Sequence, residues 1–583
     1  MVVFEDIVSR ISGHARELPA KDAVLFVRDQ GREQVTERLS FAELDRRARA
    51  TAGWLRARCA EGDRVLLLFP SGLDFVTALI GCLYAGVVAV QAPAPNNQNR
   101  QGARTAGIAA DADVRLVLTD SRHLATVSEF LAAPGLDQIP CVATDIEDLG
   151  DGADWTPPRA DPDAEAILQY TSGSTSDPKG VVVTHGSLMH NLGLIQRSLG
   201  PHRDTVACSW LPPYHDMGLI GMLFSPLFLG CTVILLSPTD FLRRPHRWLD
   251  LVGRYRVTFT TAPNFAYDLC TRLVTDEQLA GLDLSSLRHA LNGSEPVHAA
   301  TLTRFAERFA PAGFRLEVFK PCYGMAETTL FVSGTPLDRS PVLTAVDRAG
   351  LERNVFTPAP ADPDAALLVS SGRVLDLDVR IVDQDTRQVL PDGRVGEVWV
   401  RGASVAAGYW RNEEATEATF RAVTADGEPG FLRTGDLAVR HDGELYVTGR
   451  LKDMLVIRGR NLYPHDIERD VAGMHEAFRG LHGSVCSVPA ALEEIVVMQE
   501  LRPRGGDALD LPALAGRVRG ELGERLGVRV ANLVFLRPGQ VLRTTSGKVR
   551  RSVMRELFMT GALTPVYEDL SADISRRYRG ASA

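Results

Sequence analysis

An α/β architecture is what this 583-residue sequence predicts, followed by a smaller antiparallel β part and then a compact α+β domain. Three observations lead there. Short apolar runs typical of covered parallel strands alternate with helical periodicity through the first half. From residue 370 to 444 the texture changes to short strands separated by Asp-Gly turns. After Gly449-Arg-Leu-Lys-Asp453 about 130 residues remain, the size of one further small domain. A chain this long exceeds what one hydrophobic core supports, so at least two domains are expected.

Residues 41–55 repeat apolar side chains at helical spacing, and 63–69 form a buried strand. The longest apolar segment, 76–90, holds two glycines and is short for a membrane span; it reads as a buried helix running into a strand. Residues 114–119 and 232–236 are further strands. In the antiparallel part, 379–382, 396–401 and 442–447 are strands, and Gly505-Gly506 marks an exposed loop of the last domain. The polar tail beyond Thr564 is expected to be poorly ordered.

Composition narrows the function classes. With 45% hydrophobic and 23% charged residues the chain reads as a soluble globular protein. A net charge of −9 argues against nucleic acid as the main partner. The eight cysteines are scattered without a Cys-x-x-Cys pair, which suggests neither a zinc site nor a disulfide framework, and points to a cytoplasmic setting. Met1-Val-Val-Phe-Glu-Asp6 lacks the basic start of a signal peptide, and no stable membrane insertion is expected.

The most informative stretch is Tyr170-Thr-Ser-Gly-Ser-Thr-Ser-Asp-Pro-Lys-Gly180. Gly173 and Gly180 let backbone approach a polyanion, Thr171, Ser172, Ser174 and Thr175 offer hydroxyl donors, and Lys179 adds charge. The lysine precedes the glycine, so this is not a Walker loop. Strand-like runs flank it on both sides. A polar hairpin turn at Asp177-Pro178 is the competing reading.

Four more segments extend the pattern: Asn292-Gly-Ser-Glu-Pro296, Tyr323-Gly-Met-Ala-Glu-Thr328, Leu432-Arg-Thr-Gly-Asp436 and Arg543-Thr-Thr-Ser-Gly-Lys548. In this order and spacing the five resemble the adenylate-forming superfamily of acyl-CoA synthetases, luciferases and peptide-synthetase adenylation domains, over essentially the whole chain. Within it the likeness is to fatty-acyl-AMP ligases. It is carried by Trp210-Leu-Pro-Pro-Tyr-His-Asp-Met-Gly-Leu-Ile-Gly221, by Ala326, where many acyl-CoA synthetases carry threonine, and by 346–353, where these ligases carry an extra segment. Ser176 departs from the glycine common in the superfamily.

The resemblance implies an N-terminal AMP-binding domain, 1–451, of two α/β subdomains plus a small β-barrel-like one, and a mobile C-terminal domain, 452–583. It implies ATP and Mg²⁺ as cofactors. The reaction would be adenylation of a medium- or long-chain fatty acid with release of pyrophosphate. The acyl group would then pass to the phosphopantetheine thiol of an acyl carrier protein, or of a polyketide or non-ribosomal synthetase carrier domain, in trans. Lys548 would neutralise charge between carboxylate and α-phosphate, Glu327 would bind Mg²⁺, and His215 would separate nucleotide pocket from acyl channel. Tyr323 would face the adenine, bordered by Gly293, Ser294, Glu295 and Pro296. Gly324, Met325, Ala326 and Thr328 complete that motif. Asp436 and Arg450 would hold the ribose and Lys452 would be the hinge. Met222, Leu223, Phe224, Asn264 and Phe265 are candidates for the acyl pocket. Acyl transfer to CoA, amino-acid adenylation anchored at Asp216, and a nucleotide-binding regulator without catalysis remain as alternatives.

Overall fold

The computed structural model describes residues 4–30, 33–95, 99–170, 178–457, 460–490, 493–502, 509–526, 530–544 and 547–580. The chain up to Val374 builds two large sheets. One has six strands in the order Cys141–Ala143, Leu116–Thr119, Arg64–Leu67, Val88–Gln91, Glu165–Tyr170 and Gly180–Thr184, parallel except for the last, which returns antiparallel. The other has nine. Its six consecutive parallel strands, Asp22–Gln30, Thr232–Leu236, Val206–Ser209, Phe259–Ala262, His289–Asn292 and Phe319–Gly324, are flanked by antiparallel edges.

Period-two geometry explains why these strands read as continuous apolar runs. Val65 and Leu67 point into the main core, Leu66 and Leu68 into a second cluster on the opposite face. The helix Leu73–Ala85 is apolar all round and all but one of its residues is buried, as the sequence anticipates for 76–90. Among the described residues no helix is long and apolar enough to cross a membrane.

Next comes a four-stranded antiparallel sheet, Asp378–Val382, Gly396–Arg401, Leu432–His441 and Glu444–Arg450. Its last hairpin closes on Asp442-Gly443, both at positive φ (52° and 76°), the two-residue turn whose twist suits paired strands. Residues 343–369 add a small hairpin, Leu343–Val346 with Ala366–Val369, around the one-turn helix Arg348–Leu351.

Beyond the turn Leu451–Asp453, the hairpin Leu455–Ile457/Arg460–Leu462 leads into a second core. There the strands Gly483–Val488, Glu494–Glu500, Asn532–Leu536 and Tyr567–Asp569 make one sheet, backed on its two faces by separate apolar clusters. The expectation of a poorly ordered tail is corrected here. Tyr567–Asp569 pairs with Asn532–Leu536, and the helix Ala572–Arg579, capped by Ser571, buries Ile574 completely. One turn on, Tyr578 packs on the same apolar cluster and its hydroxyl donates to the Pro489 carbonyl at 2.7 Å.

Candidate active site

In a parallel α/β sheet, ligands bind beyond the carboxyl ends of the strands, and there this chain gathers its motifs. Val206–Ser209 leads to His215, Phe259–Ala262 to Asn264, His289–Asn292 to Ser294-Glu295, and Phe319–Gly324 to Met325-Ala326-Glu327. The turns are tight. A Cβ on Gly324 would lie 1.7 Å from the Leu330 carbonyl oxygen, and Ser294 takes a positive φ of 70°. The strand ends open on a cavity of about 1260 Å³.

Asp436 anchors one wall. It accepts hydrogen bonds from Arg450 Nε and from the Tyr323 hydroxyl, each 2.9 Å long. The turn at Asp442-Gly443 alone would set Asp436 opposite Gly449; a bulge next to Leu437 sets it opposite Arg450. A one-residue slip moves a side chain to the other face, so the bulge makes the pair. The Asp436 carboxylate raises the Arg450 pKa above the ordinary arginine value.

Opposite it, Glu327 accepts from the Tyr409 hydroxyl at 2.9 Å, and the Lys179 amine sits 4.9 Å from the centre of the Tyr409 ring. Burial pushes the Glu327 pKa up, against the pull of that hydrogen bond. Glu327 therefore fits Mg²⁺. It is a hard oxygen donor whose buried charge a dication would relieve, and Mg²⁺ commonly takes one carboxylate with phosphate oxygens and waters.

His215 Nδ1 lies 2.7 Å from Asp216 Oδ1. The Met217 N–H donates to the same Nδ1 at 3.3 Å and to Asp216 Oδ1 at 2.7 Å, tying the three residues together. Lys548 reaches the same space from the last domain, in a turn closed by Thr544 N–H donating to the Lys548 carbonyl and Lys548 N–H donating to the Thr544 hydroxyl. A Cβ on Gly547, at φ 89°, would lie 3.0 Å from the Phe265 ring, so this turn rests on Phe265. Burial lowers the Lys548 pKa and the Arg450 charge lowers it further, while Asp216, Asp436 and Glu295 pull it back up. Glu295 accepts from the Phe265 N–H at 2.6 Å, and burial raises its pKa to about 7.

Of the expected residues, Lys179, His215, Ser294, Glu295, Pro296, Tyr323, Gly324, Met325, Ala326, Glu327, Asp436, Arg450, Lys452 and Lys548 line this cavity together, as do Met222, Asn264 and Phe265. Four others do not. Gly293 lies behind the wall, where a Cβ would meet Cys322 Sγ at 2.9 Å. Thr328 is fully buried and its hydroxyl donates to the Met325 carbonyl. Leu223 and Phe224 are packed into the main core. The reason is a π-helix at Met217–Phe224, in which residues four to five apart share a face; Met217, Gly221 and Met222 turn to the cavity and the next two turn away. Thr171, Ser172, Gly173, Ser174 and Thr175 lie outside the described residues. Tyr409, Arg104 and Arg550 line the cavity without having been singled out, since no local pattern marks them.

Residues 12–410 match the model of the AMP-binding enzyme family. The chain belongs to that family. It is 39% identical over 571 residues to a medium-chain-fatty-acid–[acyl-carrier-protein] ligase of Moorena producens, covering 96% of each chain. It is 36% identical to a long-chain-fatty-acid–AMP ligase of Mycobacterium marinum, covering 96% of this chain and 98% of that one. The fatty acyl-adenylate ligase from L. pneumophila, solved in complex with acyl adenylate and pyrophosphate, superposes with a TM-score of 0.75 at 35% identity, over 97% of each chain. The resemblance to fatty-acyl-AMP ligases read from the motifs is thereby borne out.

Proposed function

We propose that this family member adenylates a medium- or long-chain fatty acid and passes the acyl group to the phosphopantetheine thiol of a separate carrier protein. The observation that carries the proposal is Lys548, which lines one cavity with Asp216, Glu295, Asp436 and Arg450. Attack of a carboxylate oxygen on the α-phosphorus forms one O–P bond and breaks another, with the electron pair leaving on pyrophosphate. Two anions must meet, so the rate depends on positive charge placed where negative charge accumulates.

On this reading Lys548 bridges carboxylate and α-phosphate. Asp436 holds the ribose hydroxyls through the second lone pairs of its two oxygens. Tyr323 and Ser294-Glu295-Pro296 border the adenine. The His215–Asp216 pair stands between nucleotide and acyl chain, and Met222 with Gly221 lines the acyl channel. Lys179 and the 171–175 loop hold phosphates. Glu327 would hold Mg²⁺, which when bound supplies charge neutralisation on the phosphates. Residues 1–451 and 452–583 exchange poses about Lys452 between the two half-reactions, the second being thiol attack on the acyl carbonyl with departure of AMP. The eight free cysteines support a cytoplasmic setting.

The deciding assay is pyrophosphate release dependent on both fatty acid and Mg²⁺. Lys548→Ala is expected to lower it by two orders of magnitude or more, in line with roughly 10²–10³ for the loss of one preorganised charge-stabilising group. Undiminished adenylate formation in that variant overturns the assignment. Efficient transfer to CoA, rather than to carrier protein, overturns the choice of acceptor.

A further inference from the structure

Arg104 and Arg550 line the cavity without a part in the reading above, and they come from opposite ends of the chain. Arg104 lies on the helix Asn99–Asp111, which runs along the two chain ends that lead into and out of the polar loop. Asp111 accepts a hydrogen bond from the Tyr170 hydroxyl at 2.5 Å, and a Cβ on Gly107 would sit 3.3 Å from Pro178. Positions 104, 107 and 111 share one face of a helix, so the face that meets the loop's flanks also carries Arg104. Its guanidinium is half-buried and lines the cavity with Gln169, Lys179 and Tyr214.

From the last domain comes Arg550, two residues after Lys548 and directly before the helix Arg551–Met559. Burial lowers the Arg104 pKa; Tyr214 pulls it up and the Arg550 charge pulls it down again, so the two guanidiniums feel one another. Two guanidiniums lining one cavity raise its positive potential and favour a polyanion there. Each guanidinium offers five N–H donors in a planar fork suited to phosphate.

We infer that Arg104 and Arg550 are the two jaws of a clamp on the pyrophosphate end of ATP. The inference rests on the adenylation reading and deepens it. When the Pα–O bond breaks, the electron pair and the new negative charge go to the oxygen of the departing pyrophosphate, between the jaws. Arg550 travels with Lys548, so the triphosphate draws in the catalytic lysine as it draws the jaws together.

The test uses the full-length enzyme and inorganic pyrophosphate as probe, with AMP as control. Arg104→Gln and Arg550→Gln are each expected to raise the pyrophosphate inhibition constant roughly tenfold or more, with AMP binding within twofold of wild type. The double variant is expected to lose less than the product of the two, because the jaws share one ligand. Arg104→Lys, which keeps the charge and loses the fork, is expected to fall between. A pyrophosphate constant within twofold of wild type in either single Gln variant, or an equal loss of AMP and pyrophosphate, overturns the clamp. Should Arg104→Gln not fold, Arg550→Gln decides the matter from the other domain. Wild-type enzyme that releases no pyrophosphate with any fatty acid overturns the adenylation reading instead; calorimetric titration of the same variants with pyrophosphate then still decides the clamp.

Discussion

Removing the Glu352 side chain is expected to loosen the last domain by an amount that the contact geometry sets. Glu352 ends the one-turn helix of residues 343–369 and accepts two bonds from Arg460, one from Nε and one from Nη2, both 2.7 Å long. That hydrogen bonding raises the Arg460 pKa. The Asn461 N–H also donates to the Glu352 carbonyl, and the Asn461 side-chain amide to Asn354 at 2.9 Å. These last two contacts survive Glu352→Ala. A bidentate charge-assisted pair contributes about 1.5–3 kcal/mol when desolvated; with the side chains 21% and 31% exposed, screening brings this to about 1–2 kcal/mol. A loss of that size multiplies the undocked population roughly 5–30-fold. Hydrogen exchange reports it directly, because amides protected by docking exchange in proportion to the open fraction. In Glu352→Ala the amides of Leu455–Ile457 and Arg460–Leu462 are expected to exchange 5–30-fold faster while Gly483–Val488 in the domain core is unchanged. A double-mutant cycle with Arg460→Ala is expected to show coupling of about 1 kcal/mol. Unchanged hairpin exchange, or strictly additive effects, refutes the reasoning. So does equal acceleration of the core strand, which would signal unfolding rather than undocking.

Three further outcomes are expected. The Lys548 ammonium is lost as pH rises through its lowered pKa, so the alkaline limb of pyrophosphate release should begin below the ordinary lysine range, and Lys548→Arg should shift it upward at reduced rate. Asp436→Asn removes the charge that Tyr323 and Arg450 orient, and should raise the KM for ATP about 10–100-fold with a smaller change in kcat, the pattern of lost uniform binding. The Glu295 pKa of about 7 lies above its unfolded value, so its contribution to stability is fully present below about pH 4.5 and is lost as pH rises to 7. Glu295→Gln should therefore gain on wild type by on the order of 2 kcal/mol between pH 5 and 7.5 in thermal unfolding, and a pH-independent difference would count against it.

What the sequence discloses depends on how locally each feature is determined. Strand runs such as 232–236 and the helix at 41–56 are fixed by short-range periodicity, and they fall where the pattern puts them. The residues at the carboxyl ends of parallel strands are legible too, because a strand followed by a polar turn is a local signal and the sheet gathers all such turns at one edge. Pairings that depend on a count of residues are harder. A reader of the sequence sees the Asp442-Gly443 turn and both strands, yet would set Asp436 opposite Gly449; only the bulge next to Leu437 delivers Arg450. The π-helix poses the same difficulty on the other element type. An α-helical count sets Phe224, seven residues after Met217, on the cavity face, whereas hydrogen bonds five residues apart turn Phe224 into the core. Least legible are groups whose partners come from a distant domain, since nothing near Arg104 or Arg550 announces the other. Motif spacing therefore finds the parts of this site that one strand end can present, and misses those that exist only when two domains close on one anion.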